Sequence, residues 1–182
     1  MNAWLRQMMP DEYVTSIYHI DLDKLWRSGK RLLLSDLDNT LVPYNHPDVP
    51  QELASWLQKA TDIGFDVCLI SNNKGDRVDL FARSFGVSAI GAAHKPRPHA
   101  FLQAMEQFGR GVQETVMIGD QLFTDVRGGN LCGLYTILVL PMNNREWWGT
   151  RVVRRVERLA MKRLVRQGLD VPPHKNREVS GR

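Results

Sequence analysis

Five short apolar runs alternate along the chain with longer segments in which apolar residues recur at helical spacing. The runs occupy residues 31–36, 65–71, 87–90, 115–120 and 135–140. The intervening segments with helical periodicity occupy residues 50–63, 76–85 and 98–108. Strands that alternate with helices in this way are typical of repeated βαβ units. We therefore predict an α/β domain with a mainly parallel five-stranded sheet.

Segments of different character flank this sheet-forming region. Residues 1–30 are rich in apolar side chains, and we expect them to pack on the core or on a partner. Residues 31–142 form the predicted core domain, 143–168 a basic amphipathic helix and 169–182 a mobile tail. A chain of 182 residues has the length of one domain with such extensions.

Composition limits the class of protein. Hydrophobic residues make up 43% of the chain and charged residues 24%, as in soluble globular proteins, and no run approaches the roughly 18 apolar residues of a spanning helix. The start of the chain mixes Trp4 and Leu5 with Arg6, unlike a secretory signal, which favours a cytoplasmic protein. Cys68 and Cys132 lack the spacing of a zinc site or disulfide framework, so we predict reduced thiols.

Basic residues crowd the C-terminal part of the chain, although the net charge is only +4. Residues 145–167 have the pattern of a long amphipathic helix. Its predicted apolar face consists of Trp148, Val152, Val156, Leu159 and Leu164, flanked by Val153 and Ala160. Such a helix either packs its apolar stripe on the domain or lies on an anionic partner, such as phospholipid headgroups or nucleic acid.

Polar side chains follow four of the five predicted strands. They are Asp36 and Asp38 after the first strand, Ser71, Asn72 and Asn73 after the second, Lys95 after the third, and Asp120 and Asp125 after the fourth. Because the carboxyl ends of parallel strands open into one crevice, we expect these groups to converge. Clustered carboxylates repel one another unless a cation offsets them, and such oxygen ligands suit Mg²⁺ together with a phosphate. The pattern therefore predicts a magnesium and phosphoryl site.

Four short motifs resemble those of haloacid dehalogenase (HAD) superfamily phosphatases, subfamily IIIA. They are DLDNT at 36–40, SNN at 71–73, HKPRP at 94–98 and GDQLFTD at 119–125, and they occur in the order of that superfamily. With PDEYV near the start and GLYTILVLP after the last motif, the chain is similar to the bacterial subgroup related to mitochondrial phosphatidylglycerophosphate phosphatases. The resemblance implies a three-layer α/β/α Rossmann-like fold and a catalytic core over residues 31–142.

The resemblance also implies catalytic roles. Asp36 is expected to attack phosphorus and form an aspartyl-phosphate. Asp38 is expected to protonate the leaving alkoxide and then to activate water. Ser71 and Lys95 are expected to hold the phosphoryl oxygens, with the Lys95 charge offsetting theirs.

A metal set and a substrate-binding set follow from the same resemblance. Mg²⁺ is expected on Asp36, Asp120 and the backbone carbonyl of Asp38, with Asp125 orienting either Lys95 or a metal-bound water. The expected substrate-binding residues are Asn39, Thr40, Asn72 and Asn73.

Structural interpretations compete with these roles. An Asp at a strand end often forms a turn, Ser71 can begin one, and Lys95 can simply be solvated; their joint order favours chemistry. We interpret Gly128, Gly129 and Asn130 as a helix terminus and turn rather than a phosphate cradle, because phosphate loops precede helices. A receiver domain also combines acids, Mg²⁺, a hydroxyl and a Lys, but the DxD spacing after the first strand disfavours it.

The spacing between motifs leaves no room for the cap domain that many HAD enzymes insert. An uncapped crevice does not exclude water by its own closure, which favours large or surface-bound phosphomonoesters. We therefore expect a lipid headgroup such as phosphatidylglycerophosphate, reached peripherally at the inner face of the plasma membrane. The alternatives are a phosphatase of soluble sugar phosphates or nucleic-acid ends, and an RNA- or ribosome-binding module on the same fold.

Overall fold

A parallel six-stranded sheet forms the centre of the protein, whose computed structural model describes residues 3–43, 51–74, 76–142 and 150–172. The strands are β1 (Glu12–Val14), β2 (Leu32–Ser35), β3 (Asp66–Ile70), β4 (Ser88–Ile90), β5 (Thr115–Gly119) and β6 (Tyr135–Val139). Their order across the sheet is β1-β6-β5-β2-β3-β4. The predicted α/β class and parallel sheet are confirmed, and β1 is a sixth strand that the sequence did not predict.

Helices connect the strands as the βαβ pattern requires. Within the described ranges they are α1 (Ala3–Arg6), α2 (Leu22–Arg27), α3 (Gln51–Ile63), α4 (Asp76–Phe85), α5 (His99–Phe108), α6 (Arg127–Leu131) and α7 (Thr150–Arg166). Short 3₁₀ turns span Ile17–His19 and Val112–Glu114, and a π-helical turn spans Leu122–Val126. The predicted helices 50–63, 76–85 and 98–108 correspond to α3, α4 and α5 within one residue at each described end.

Both faces of the sheet are covered, which makes the fold three-layered. Along β2, Leu33 faces one apolar cluster while Leu32 and Leu34 face another. The first cluster packs against α2, α3 and α4 and the second against α5, whose Phe101 is fully buried. Strands buried on both faces explain why the sequence shows continuous apolar runs rather than alternation.

The N-terminal segment lies on the core. Ile17 and Leu25 belong to the cluster beneath α3, and Met8 is fully buried in a third cluster. β1 pairs in parallel with β6, with Tyr13 opposite Leu138. We expected residues 1–30 to pack either on the core or on a partner, and the described part of this segment packs on the core.

The C-terminal helix α7 contacts the domain along a stripe that differs from the predicted one. Ala160 and Leu164 are buried with Leu122 and Val126 of the π-helical turn, whereas Val156 and Leu159, predicted on the apolar face, are exposed. Leu164 is buried as predicted, but the prediction is wrong for Val156 and Leu159, because the buried stripe passes through Ala160, expected at the edge of the apolar face. The predicted Trp148 lies outside the described residues, and so does the start of the predicted helix.

Helix α7 ends at Arg166, two residues before the predicted end at 168, but contact with the domain continues into the first residue of the predicted tail. Leu169 is buried, and its backbone N–H donates to the carbonyl of Leu164 at 3.1 Å. The remainder of the predicted tail, from residue 173 onward, lies outside the described residues. No helix among the described residues combines the length and the apolar character that crossing a membrane demands.

Candidate active site

The carboxyl edge of the three central strands gathers the predicted acidic and hydroxyl side chains. β5, β2 and β3 are neighbours in the sheet, and Asp120, Asp36 and Ser71 each follow directly on the end of one of them. The predicted strands included these three residues, whereas the observed strands stop one residue earlier. That difference leaves the side chains at the mouth of the crevice, as expected for loops at this edge.

A cluster of three carboxylates lies at the centre of this edge. One oxygen each from Asp36, Asp120 and Asp125 lies within 4.8 Å of the other two, and all three residues are buried. The predicted proximity of Asp36 and Asp120, on which a shared divalent ion depends, is present. Asp125 completes the cluster.

Lys95 supplies the positive charge inside this cluster. Its Nζ lies 2.6 Å from Oδ1 of Asp36 and 2.7 Å from Oδ1 of Asp125, and the side chain is only 2% exposed. Burial alone would lower the pKa of Lys95, but the charges of Asp125 and Asp36 outweigh burial and raise that pKa above its ordinary value. The lysine is therefore an ammonium at neutral pH.

Burial acts in the opposite direction on Asp36. Loss of water raises the pKa of its carboxyl to about 6 from 3.8, although the Lys95 ammonium counteracts the rise. The neighbouring charges of Asp125 and Asp38 add to it. This carboxyl therefore needs further positive charge to stay ionised throughout the neutral range.

The donor set fits a divalent cation. The cluster brings three acidic side chains together around one ammonium, and buried charge of this kind is costly unless it is paired. Carboxylate oxygens are ligands that Mg²⁺ prefers in proteins. Asp36, Asp120 and Asp125 could hold such an ion, and the ion would supply the missing positive charge.

The Asp38 side chain is not one of the three clustered carboxylates and has partners of its own. Its Oδ1 accepts a short, charge-assisted hydrogen bond from Nη1 of Arg77, and its Oδ2 accepts one from Nδ2 of Asn73 at 2.6 Å. Asp38 is buried but lies next to the partly exposed Arg77. The side chain of Asp38 is thus absent from the carboxylate cluster, so its predicted metal contact concerns the backbone carbonyl alone.

The remaining predicted residues build the walls of the site. Thr40 Oγ1 donates to Oδ1 of Asp120 at 3.3 Å. Ser71 is buried, and its Oγ accepts a hydrogen bond from the backbone N–H of Asn73 at 3.2 Å. Asn39 has a left-handed backbone, with φ at 64°, and its N–H donates to the carbonyl of Val42 at 2.7 Å.

Asn72, which is predicted to bind substrate, holds the Lys95 loop through both atoms of its amide. Its Oδ1 accepts from the Lys95 backbone N–H at 2.6 Å, and its Nδ2 donates to the Lys95 carbonyl at 3.2 Å. His94, directly before the lysine, has φ at 55°, a conformation that costs free energy in residues with a side chain. The bidentate amide contact explains how the loop keeps that conformation.

A π-helical turn positions Asp125. The turn spans Leu122–Val126, and the backbone N–H of Gln121 donates to Oδ2 of Asp125 at 3.1 Å. Turns of this kind are frequent at functional sites. Gly119 matters as well, because a Cβ at that position would overlap the Asp125 carboxyl group. Asp125 was expected to orient either Lys95 or a metal-bound water. Its position is compatible with both roles, since it contacts Lys95 and belongs to the carboxylate cluster.

Gly128 and Gly129, predicted at a helix terminus, lie inside the short helix α6. A Cβ on Gly128 would lie 2.6 Å from the Phe101 ring, and one on Gly129 would lie 2.6 Å from Cγ2 of Thr136. Asn130 donates to the backbone carbonyls of Gln7 and Met9 at 2.9 Å. These residues serve close packing rather than phosphate binding.

Sequence reasoning missed Arg77, which lies six residues after Ser71 in the first turn of α4. A cation at this distance from the SNN motif was a usable signal, because the start of a helix that follows a strand lies at the same edge of the sheet. The apolar periodicity of residues 76–85 predicts only which side of that helix is buried, and Arg77 is not part of it.

The motif spacing agrees with an uncapped site. Between Asp38 and Ser71, residues 51–63 form α3 and 66–70 form β3, and only the seven residues 44–50 lie outside the described part. Between Asn73 and Lys95 lie α4 and β4. Neither interval has room for an inserted domain.

Comparison with known proteins identifies the family. Residues 92–150 match the HAD-hydrolase-like family. The chain is 39% identical over 160 residues to the Bacillus subtilis (strain 168) protein named Probable phosphatase YqeG, a match that covers 88% of this chain and 93% of that protein. It is 30% identical over 177 residues to phosphatidylglycerophosphate phosphatase 1, chloroplastic/mitochondrial, of Arabidopsis thaliana, covering 92% of this chain and 51% of the plant protein.

A solved structure gives the same fold. The cobalt-bound deoxy-D-mannose-octulosonate 8-phosphate phosphatase (YrbI) of Haemophilus influenzae matches with a TM-score of 0.50 at 14% identity, over 78% of this chain and 92% of that one. The chain therefore belongs to the haloacid dehalogenase superfamily. It is a HAD-type phosphatase, and its similarity to the Bacillus protein extends over most of both chains.

Proposed function

We propose that the chain hydrolyses phosphomonoesters with Mg²⁺ as its cofactor, through a phosphoryl group carried transiently on Asp36. The observation that carries the proposal is the buried cluster of Asp36, Asp120 and Asp125 around the Lys95 ammonium. Buried like charges of this number are costly in a folded protein. A divalent cation would offset the negative charge of the cluster, and the phosphorus of a bound ester would be the atom that Asp36 attacks.

The reaction has two displacements. In the first, a carboxylate oxygen of Asp36 attacks phosphorus, the bond from phosphorus to the ester oxygen breaks, and Asp38 gives its proton to the leaving alkoxide. In the second, Asp38 takes a proton from water, whose oxygen attacks the same phosphorus and releases inorganic phosphate and the Asp36 carboxylate. Lys95 and Ser71 offer positive charge and a hydroxyl donor to the phosphoryl oxygens. Mg²⁺, when bound, supplies positive charge against the carboxylates and the phosphoryl group.

The substrate we propose is a phosphomonoester on a lipid headgroup, with phosphatidylglycerophosphate as the leading candidate. Two observations support it. The plant relative bears that substrate in its name, although this chain spans about half of the length of that enzyme. The described residues form no cap over the crevice, so a substrate embedded in an interface, rather than a mobile domain, would help to exclude water.

Helix α7 supports a membrane surface as the place of action. Lys162, Arg163 and Arg166 are exposed, and so are Val156 and Leu159. A basic helix with exposed apolar side chains can bind an interface that contains anionic lipid, where each basic residue contributes on the order of 1 kcal/mol. The same surface would fit RNA, and this second candidate rests on the charge of the helix alone.

A phosphate-release assay tests the function and the substrate together. The protein is offered phosphatidylglycerophosphate in mixed micelles, glucose 6-phosphate and a 5′-phosphorylated oligonucleotide, each with Mg²⁺ and each with EDTA. We expect Mg²⁺-dependent release that is at least about tenfold faster from the lipid. Release from the soluble esters alone would contradict the lipid assignment, and release in EDTA at the same rate would contradict the metal assignment.

A further inference from the structure

A second cation lies beside the site, in contact with Asp38 rather than with the carboxylates that Lys95 contacts. Arg77 donates from Nη1 to Oδ1 of Asp38 and from Nη2 to the backbone carbonyl of Pro43 at 3.4 Å. Its side chain is 37% exposed, whereas that of Asp38 is 11% exposed. The guanidinium therefore extends from solvent to the buried carboxylate.

The two cations serve different parts of a bound ester. Lys95 contacts Asp36 and Asp125, so it lies on the phosphoryl side. Asp38 is the group that protonates the leaving alkoxide under the proposed function, so a group in contact with Asp38 lies against the leaving alcohol. Arg77 consequently places a permanent positive charge next to whatever the alcohol carries.

Two structural roles explain the position of Arg77 poorly: stabilising the fold through its ion pair, and orienting the Asp38 carboxylate. A partly exposed ion pair adds little to stability. Orientation is already served by Asn73, whose Nδ2 holds the other oxygen of the same carboxylate at 2.6 Å. A guanidinium has five N–H donors, and its two hydrogen bonds to described residues use one donor each from Nη1 and Nη2, so within the described part of the chain it has capacity for another acceptor.

We propose that Arg77 binds a second anionic group on the leaving alcohol, so that the site selects phosphomonoesters whose alcohol carries a further phosphate. The inference rests on the proposed function, because it uses Asp38 to locate the alcohol. Arginine suits this task because its planar fork matches two phosphate oxygens at once. A phosphomonoester whose glycerol also bears a phosphodiester, as in a glycerophospholipid headgroup, has this chemistry.

The test compares two soluble esters that differ only in the second anion. Glycerol 1,3-bisphosphate carries it and glycerol 3-phosphate lacks it, and kcat and KM are measured for both with wild type, Arg77→Ala and Arg77→Lys. Arg83→Ala is the matched control, because Arg83 lies exposed on the same helix α4. A third substrate, p-nitrophenyl phosphate, has a leaving group that needs little protonation and so reports the rest of the site.

We expect wild type and Arg83→Ala to prefer the bisphosphate in kcat/KM. Arg77→Ala should lower that preference by about 10- to 100-fold, mainly through a higher KM for the bisphosphate. The rate with p-nitrophenyl phosphate gives the change that every ester shares through the contact of Arg77 with Asp38, and the preference is judged relative to it. Arg77→Lys should retain an intermediate preference, since it keeps the charge but loses the fork. Should Arg77→Ala fail to fold, the lowered preference of Arg77→Lys carries the same test.

Three results would overturn the inference. They are a wild type without preference for the bisphosphate, an Arg77 variant with unchanged preference, and an equal fall of kcat for both glycerol esters, which would mark a residue that only positions Asp38. Absence of hydrolysis of any ester would instead overturn the proposed function, and the inference with it. Arg77-dependent preference for the bisphosphate without turnover of the lipid would uphold the inference and contradict only the lipid substrate.

Discussion

The ammonium of Lys95 lies 2.6 Å from Oδ1 of Asp36, with both side chains almost wholly withdrawn from water. The same nitrogen lies 2.7 Å from Asp125, which is buried as well. Each carboxylate loses its hydration on folding, and the lysine replaces part of it. We therefore expect the stability of this part of the protein, and its chemistry under the proposed function, to depend on Lys95.

Replacing Lys95 with Met tests that dependence. We expect the free energy of unfolding in EDTA to fall by about 3 kcal/mol, because two buried carboxylates lose their partner, and we expect phosphatase activity to fall at least about 100-fold. Urea unfolding and phosphate release measure the two effects. Lys59→Met is the control, since the Lys59–Asp23 pair is 3.4 Å long and more than half exposed at both ends, and its loss should cost less than about 1 kcal/mol. Equal losses in the two variants would contradict the prediction.

The catalytic edge of the fold was readable from the sequence because each of its groups follows a continuous apolar run. Asp36, Ser71 and Asp120 occupy the first position after a strand, and parallel topology then places them together without further information. What the sequence could not supply was side-chain direction. Asp38 turns to Arg77 while Asp125 turns to Lys95, and that division depends on the course of the backbone.

The missed elements share a physical cause, which is that tertiary contacts rather than local pattern define them. β1 has only three residues, none fully buried, and it pairs with β6 from more than a hundred residues away. The π-helical turn Leu122–Val126 has no periodicity of its own in so short a stretch. In α7, the choice between Ala160 and Leu159 as the buried residue depends on the shape of the surface beneath.

An Asp36→Asn substitution separates an enzyme from a binding module on the same fold. The amide is a poor nucleophile, so we expect kcat to fall at least about 1,000-fold with every ester. Phosphate release is the measurement, and Asp79→Asn, an exposed residue of α4, is the control that should keep full activity. If Asp36→Asn kept its turnover, the aspartyl-phosphate route would be excluded. A protein that works only by binding would show no turnover to lose and would keep its salt-dependent affinity for RNA.

The raised pKa of Asp36 predicts how stability depends on pH without metal. Burial raises the pKa of this carboxyl to about 6 from 3.8, so between about pH 4 and 6 the folded state holds a proton that the unfolded chain has lost. The contribution of Asp36 to the free energy of unfolding should therefore fall as pH rises through that window, by up to roughly 3 kcal/mol. Mg²⁺ favours the ionised form and should stabilise the protein more at pH 7 than at pH 5.

Urea unfolding in EDTA and in Mg²⁺ across that range measures this effect. Asp36→Asn is the reference, because the difference between wild type and variant cancels the titration of the groups that do not interact with Asp36. In EDTA at pH 7 the variant should be more stable than wild type, because its neutral Asn side chain replaces the buried charge of Asp36. A wild type and a variant with parallel pH profiles would refute the assignment.

Charge reversal on α7 tests the proposed membrane surface. Changing Lys162, Arg163 and Arg166 to Glu should weaken binding to vesicles that contain phosphatidylglycerol by at least about tenfold, because each basic side chain contributes on the order of 1 kcal/mol. Hydrolysis of p-nitrophenyl phosphate should be unchanged. Vesicle sedimentation at low and high salt measures the affinity. The control makes the same change at Arg27, Lys59 and Arg83, exposed residues of α2, α3 and α4. Similar weakening in both triple variants would show a general charge effect and not a docking surface.

Gly119 offers a test of how closely the site is built. A methyl group there would occupy the space of the Asp125 carboxyl group, so Gly119→Ala should push Asp125 away from Lys95 and from the carboxylate cluster. We expect weaker Mg²⁺ binding, an activity at least about tenfold lower, and a loss of stability of roughly 1–3 kcal/mol from overpacking. Gly111→Ala is the matched control, since its added methyl would meet Glu114 at an ordinary 3.6 Å. Mg²⁺ titration followed by thermal unfolding reports the metal affinity of both variants. If Gly119→Ala bound Mg²⁺ as tightly as Gly111→Ala, Asp125 would have no part in holding the ion, and its role would be confined to the contact with Lys95.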